Sequence, residues 1–315
     1  MKQFSLNLFS FNVMLPFKIH SPETELCLPA WEKKHIKVTL KRDDLIHPFI
    51  SGNKWRKLKY NLEEALQLQK NHLVTFGGAW SNHLLATACA GAIFKFKTTA
   101  FVRGEEGVNN PVLAMCRLFG MQLIYVDRES YRDKENLYNT YFDQDPTTFY
   151  IHEGGYGMLG AKGCSELVDE LQHEYQHIFT ACGTGTTLAG IANAIEKRDL
   201  FTRVHGIPVL KNGGFIQEEV DQLYPNITPP ILHLDYHFGG YAKSNNDLLA
   251  FVQHFIAATG IMIEPTYTGK LLYAVDDLIK KDYFTPADQV LVIHTGGLTG
   301  LLGMYERFNF IDLHQ

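Results

Sequence analysis

The chain has 315 residues, 45% of them hydrophobic and 20% charged, with a formal net charge of -5. That length calls for one large or two moderate domains, and the mildly acidic balance excludes a nucleic-acid binder working through a basic patch. Cys27, Cys89, Cys116, Cys164 and Cys182 are scattered and never form a CxxC pair. This excludes a disulfide framework and a zinc signature, and it fits a reducing compartment. No run of about 18 apolar residues suggests a membrane span. The N-terminus is interrupted by Ser5, Asn7, Ser10 and Asn12 and does not read as a signal peptide. A cytoplasmic protein without metal, membrane or nucleic-acid partners is expected.

Residues 1–50 mix short apolar segments with Pro16, Pro22 and Pro29, and Ile36 to Arg42 alternates as a half-buried strand does. Next comes Ser51-Gly52-Asn53-Lys54, a turn composition. It runs into Trp55 to Leu66, where Leu58, Leu62, Ala65 and Leu66 have the spacing of an amphipathic helix. A lysine at such a junction sits near backbone N–H groups and the positive helix end. That disfavours its charged form and leaves a nucleophilic amine. Lys54 alone fits a basic residue on a solvated helix start equally well.

From Leu73 onward, strand-length apolar runs alternate with helical stretches. The runs are 73–76, 98–102, 122–126, 149–151, 177–181, 203–207, 231–234 and 289–294. This alternation predicts an α/β protein with mostly parallel twisted sheets covered by helices on both faces. Two α/β domains with a discontinuous boundary are expected. Ligand groups in such sheets lie at the carboxyl ends of the strands, and three of those ends carry chemistry.

After the run at 177–181 comes Cys182-Gly183-Thr184-Gly185-Thr186-Thr187, leading into a helix. Glycines turn N–H groups toward one point, the threonines add hydroxyls, and the helix presents its positive end. The loop lacks the P-loop Lys-Ser/Thr and does not match GxGxxG, so a single phosphate monoester fits best. A plain glycine-rich turn remains the alternative. After the run at 73–76, Trp80-Ser81-Asn82-His83 offers a hydroxyl, an amide and an imidazole at a second helix start. It suits a substrate carboxylate, although Ser-Asn is also an ordinary helix cap. The last run ends in His294-Thr295-Gly296-Gly297.

In order, SGNKWRKL, GGAWSNH, EGG (Glu153 to Gly155), GTGTT, PTYTGK (Pro265 to Lys270) and HTGG resemble one family. It is the fold-type-II pyridoxal-phosphate enzymes (tryptophan synthase β-like), in the branch of 1-aminocyclopropane-1-carboxylate (ACC) deaminase and D-cysteine desulfhydrase. The match runs collinearly from about Lys41 to Gly303. The resemblance implies an active site in the cleft between two three-layer domains, residues 1–56 with 167–315 and residues 57–166, and a homodimer. It implies that Lys54 carries pyridoxal 5'-phosphate and that Asn82 binds the ring's phenolic oxygen. Gly183, Thr184, Gly185, Thr186 and Thr187 would hold the phosphate, and Thr268 and Thr295 would complete the cofactor site. Ser81 matches the catalytic serine and Tyr267 an active-site tyrosine. Trp80, Ser81, Asn82, His83, Tyr241 and Tyr267 would meet the substrate.

Thr268 stands where ACC deaminases have glutamate, and Thr295 where they usually have leucine. Without that carboxylate the ring is a weaker electron sink, which suits β-elimination of a good leaving group. The expected reaction is therefore elimination from D-cysteine, or a related D-amino acid, to pyruvate, ammonia and sulfide. Lys54 is the candidate base, with Tyr267 next. ACC deamination is the close alternative. Trp80 replaces the family's usual glutamine, which puts the substrate in question and keeps open a non-catalytic binder of pyridoxal phosphate or another phosphate ligand.

Overall fold

Apolar runs bounded by glycine and turn residues form the strands, and the amphipathic stretches between them form the helices. The computed structural model describes residues 18–105 and 110–308. The readings made on residues 1–17, Pro16 included, lie outside the described residues. The chain begins with β1 (Glu23–Leu26), α1 (Pro29–Glu32), β2 (Lys37–Lys41) and α2 (Asn53–Gln67). It continues through β3 (His72–Gly78), α3 (Asn82–Phe94), β4 (Lys97–Arg103), α4 (Pro111–Leu118), β5 (Gln122–Val126), α5 (Lys134–Phe142) and β6 (Thr148–Ile151). After α6 (Met158–Asp169) come β7 (His177–Cys182), α7 (Thr186–Lys197), β8 (Arg203–Pro208), α8 (Phe215–Leu223) and β9 (Ile231–Leu232). The last elements are α9 (Asn246–Thr259), α10 (Thr268–Lys280) and β10 (Gln289–Ile293).

Two sheets result, with strand orders β1-β2-β10-β7-β8-β9 and β5-β4-β3-β6. All pairings are parallel except β1 with β2. The strand β1, Glu-Thr-Glu-Leu, has no counterpart among the expected strands. It is a short, polar antiparallel edge, and an edge strand needs no apolar run. The run expected to extend to Leu234 stops at Leu232, and a 3-10 turn begins at Leu234.

Both faces of each sheet are covered. On the larger sheet one core gathers Val38, Phe179, Val252, Leu271 and Val292 under α9 and α10. The other gathers Ile178, Leu188, Ile191, Ile216 and Leu291 under α7 and α8. On the smaller sheet Leu58, Leu62, Leu73 and Ala86 pack under α2 and α3. Phe76, Phe101 and Tyr131 fill its opposite face. Ala161 and Leu167 of α6 join the α7 core. A Cβ at Gly163 would stand 1.8 Å from the Arg56 carbonyl oxygen. Only glycine lets α6 approach α2 so closely.

This topology decides where ligands can go. In the smaller sheet the chain steps from β3 to β4 to β5 and then returns to the far side of β3 with β6. In the larger sheet it steps from β7 to β8 to β9 and returns to the far side of β7 with β10. Each reversal leaves a crevice at the carboxyl ends of the strands. The two crevices line one cleft, and the first turn of α2 projects into it.

Candidate active site

A pocket of about 440 Å³ occupies the cleft, within the usual range for small-ligand sites. Its wall includes Asn53, Lys54 and Lys57 from α2 and residues Gly78 to His83 after β3. Gly154 comes from the turn after β6, Cys182 to Gly185 and Thr187 from the glycine–threonine loop, and Thr295 to Gly297 from the segment after β10. Tyr241 and Tyr267 complete it on the larger-sheet side. Thus Lys54, Trp80, Ser81, Asn82, His83, Gly183, Thr184, Gly185, Thr187, Tyr241, Tyr267 and Thr295 share one cavity. Thr186 and Thr268 are buried behind its wall.

Lys54 is held there by its own turn. Gly52 has φ +62°, and a Cβ on it would stand 1.8 Å from the Thr295 carbonyl oxygen. The turn therefore presses flat against the segment after β10, which only glycine permits. Two residues beyond Lys54, the guanidinium of Arg56 spans Asp43 (Nε 2.6 Å, Nη2 2.7 Å) and Glu170 (Nη1 and Nη2 2.8 Å). A buried fork of charge-assisted hydrogen bonds thereby fixes the start of α2. The Lys54 amine points to the Gly154 carbonyl at 3.5 Å. Burial, and secondarily the Lys57 ammonium, push its pKa down to about 7. The sequence reading attributed a lowered pKa to the helix start; the causes here are burial and Lys57.

Lys57 is a site residue outside the expected set. It lies one helical turn beyond Lys54, hence on the same face, and that spacing is a readable signal. Its Nζ stands 3.3 Å from the Gly154 oxygen and 3.4 Å from Thr184 Oγ1. It is buried, and among the described residues neither it nor Lys54 has a carboxylate partner. Burying the Lys57 ammonium beside the pocket-lining Lys54 amine without an anion is costly, so an anion belongs beside them. The loop opposite supplies the rest of such a site. Gly185, at φ +75°, caps α7 without any side-chain acceptor, so the first N–H groups of α7 have no side-chain cap. A Cβ at Gly183 would meet the Tyr267 ring at 3.4 Å, so side-chain-free backbone faces the aromatic wall. A phosphate at the loop and a flat ring beneath it fit these residues.

On the opposite wall Ser81 caps α3, its Oγ accepting the Leu84 N–H at 3.3 Å. The ordinary cap reading is therefore correct, and the same residue also lines the pocket. Asn82 Oδ1 accepts the Thr299 hydroxyl at 2.6 Å, which ties the two walls together. His83 is mostly structural. Its Nε2 is 2.8 Å from Thr75 Oγ1, and burial, then Lys54 and Lys57, hold it neutral. Trp80 is partly exposed and packs on the backbone at Gly303. It narrows the mouth rather than pointing into a core.

The PTYTGK stretch is built around a residue absent from the expected set. Glu264, buried, accepts the N–H groups of Thr266 (2.7 Å), Tyr267 (2.8 Å) and Thr268 (2.8 Å). The Thr268 hydroxyl accepts the Glu264 N–H at 3.0 Å and lies 3.2 Å from Glu264 Oε1. Lys270 donates to the carbonyls of His237 (2.8 Å) and Gly240 (2.7 Å). It thereby holds the loop carrying Tyr241, whose ring lies edge-on to Tyr267 at 6.0 Å. Burial and then Tyr241 raise the Tyr267 pKa well above its ordinary value.

The family model described as "Pyridoxal-phosphate dependent enzyme" matches residues 23–296. The chain belongs to that family. It is 30% identical over 295 residues to a putative 1-aminocyclopropane-1-carboxylate deaminase of Thermotoga maritima, covering 88% of this chain and 93% of the relative. It is 30% identical over 290 residues to the Arabidopsis thaliana mitochondrial bifunctional D-cysteine desulfhydrase/1-aminocyclopropane-1-carboxylate deaminase, covering 83% and 72%. The crystal structure of an ACC deaminase homologue superposes with a TM-score of 0.81 at 26% identity, covering 92% and 93%. The protein is thus a pyridoxal-phosphate-dependent enzyme of fold type II, and the non-catalytic reading falls away. Among the described residues no group of side chains could hold a metal ion, and no helix is long and apolar enough to cross a membrane.

Proposed function

We propose that this enzyme catalyses α,β-elimination from a small D-amino acid with a β-leaving group, D-cysteine foremost. The products are pyruvate, ammonia and, from cysteine, sulfide, with one water consumed. Bound in the pocket, the pyridoxal ring supplies the sink for the electrons of the α-carbon. Lys54 would carry the cofactor until the substrate amine displaces it, and the freed amine, whose pKa burial and Lys57 lower to about 7, would take the α-proton. The glycine–threonine loop and Lys57 hold the phosphate. Thr186 and Thr268 support these walls from behind, and Thr295 completes the cofactor face. Asn82, fixed by Thr299, meets the ring's phenolic edge. Ser81, His83, Trp80 and Tyr241 form the substrate side. Tyr267 remains a protonated phenol at neutral pH, so it fits a proton donor to the leaving group better than a base.

One observation carries the choice of reaction. Among the described residues the only carboxylate lining the pocket is Glu153, on the smaller-sheet side. The α10 wall presents no acid, and the Thr268 hydroxyl is already engaged by Glu264. A threonine hydroxyl is a poorer partner than a carboxylate for a protonated ring nitrogen, which favours elimination of a good leaving group over reactions needing the strongest electron withdrawal. ACC deamination, to 2-oxobutanoate and ammonia, is the second reading, supported by the relatives' names and by Ser81 sharing the pocket with Tyr267. Oxo-acid formation from D-cysteine, L-cysteine, D-serine and ACC, measured side by side, tests the choice. Turnover of ACC alone overturns it.

We further infer a division into residues 1–56 with 167–315 and residues 57–166, a homodimeric state and a cytoplasmic location. Sedimentation of the purified enzyme checks the oligomer.

A further inference from the structure

Next to the main pocket lies a second cavity of about 470 Å³, lined by Arg103, Arg128, Tyr131, Arg132, Lys134 and Glu153. Arg103 and Glu153 line both cavities, so the two adjoin across these side chains. We propose that this second cavity is a subsite for an anionic side-chain group. Within the class of small amino acids with a β-leaving group, the subsite then favours those whose leaving group is anionic, a phosphate or sulfonate, over the uncharged parent. The inference rests on the main pocket being the amino-acid site, and it names the substrate class that pocket takes.

The charges here are lopsided, and the three arginines are exposed to an incoming ligand. Four cationic side chains face one carboxylate, and Glu153 is neutralised by Lys134 at 3.2 Å. Among the described residues Arg103, Arg128 and Arg132 have no ion pair, although acids stand nearby in the chain. Asp127 is spent on the Ser130 hydroxyl and on the Glu129 and Ser130 N–H groups. Asp133 is spent capping the Asn136 N–H. Arg103 and Lys134 both lie over the ring of the buried Tyr131, at 5.6 and 5.1 Å. Cation–π contact of this kind orients the two heads before any ligand arrives.

Position separates two roles. A Cβ at Gly78 would stand 3.7 Å from Arg103 Nη2, so this guanidinium lies along the loop that leads to Ser81 and Asn82. Arg103 can therefore serve the α-carboxylate. Arg128 and Arg132 line only the second cavity, where an α-carboxylate bound beside Ser81 would leave them without a ligand. Planar, always-charged guanidiniums recognise multi-oxygen anions through paired hydrogen bonds. General attraction of anions would not need the Arg103 that the open second cavity shares with the main pocket.

The test uses the holoenzyme and calorimetric titration with serine, O-phosphoserine, homoserine and O-phosphohomoserine, each as both enantiomers. The two chain lengths bracket the reach past Arg103. Expected is a phosphorylated ligand bound about tenfold or more tightly than its parent, with most of that preference lost in the Arg128→Gln/Arg132→Gln double variant. Equal affinities in the wild type overturn the proposal. So does a double variant that keeps the preference, or one that weakens parent and phosphorylated ligand by the same factor, which marks general attraction. Oxo-acid release is followed in the same samples. A phosphate preference with no oxo acid released from the serine ligands, nor from D-cysteine run alongside, sinks the elimination reading and leaves the subsite standing. Turnover without preference does the reverse.

Discussion

Removing the second ammonium beside Lys54 should raise the Lys54 pKa measurably. Burial and Lys57 bring that amine from 10.5 to about 7, which corresponds to roughly 5 kcal/mol against the charged form. Solvent admitted by the pocket makes this an upper bound. At pH 7 about half of the Lys54 amines are then neutral, against roughly one in three thousand for an unperturbed lysine. Burial is the larger cause, so Lys57→Met moves the midpoint upward by only part of that interval. The assay is competitive acetylation of the protein freed of cofactor by hydroxylamine, with the Lys54 peptide quantified by mass spectrometry across pH. A wild-type midpoint near the ordinary lysine value, or no upward shift in Lys57→Met, refutes the reasoning. The sign for stability follows from the same shift. Between about pH 7 and 10.5 the unfolded lysine binds a proton that the folded one does not, so the cofactor-free protein gains stability as pH rises through that window.

Asp43 is fully buried and accepts two Arg56 hydrogen bonds. Asp43→Asn leaves a buried guanidinium half-partnered and should cost about 3–5 kcal/mol in denaturant unfolding; a loss below about 1 kcal/mol would contradict the role given to this clamp. His177, His205 and His233 form a chain across β7, β8 and the residue after β9, with ring nitrogens 2.9 and 3.0 Å apart. Burial first, then the two neighbours, hold His205 at about 2. Its unfolded form takes up a proton below about 6.5, so stability should fall by roughly 1.4 kcal/mol per pH unit on acidification. His205→Leu should flatten the acid limb of a Tm–pH curve by one proton, and an unchanged slope counts against it. Trp80→Gln should keep cofactor content but raise kcat/KM for bulkier amino acids relative to D-cysteine, because the indole narrows the mouth. Loss of cofactor would place Trp80 in the cofactor site instead.

The strand ends are the most legible part of this chain. Gly183, Gly185 and the threonines announce a backbone anion site, and Ser51-Gly52-Asn53 announces a turn before a helix, because both depend on local backbone chemistry. What makes Lys54 special is not local. Its environment comes from Gly154, a hundred residues away, and from Lys57, whose burial depends on α2 facing the glycine–threonine loop. Thr268 shows the limit from the other side. Its identity is readable, yet its hydroxyl turns to Glu264, a partner that matters only once α10 starts where it does. The strand β1 escapes a reading by periodicity because an edge of Glu-Thr-Glu-Leu carries no apolar pattern. Arg103, at the end of β4, is discoverable in principle, since charged residues at the carboxyl ends of parallel strands face the ligand crevice.

Borohydride reduction of the purified holoenzyme, followed by peptide mass mapping, bears most directly on the site. The expected result is pyridoxyl phosphate attached to Lys54 and to no other lysine, with Lys54→Ala folded, colourless and unlabelled. Label on Lys57 or Lys270, or a Lys54→Ala variant that still turns over D-cysteine, contradicts it.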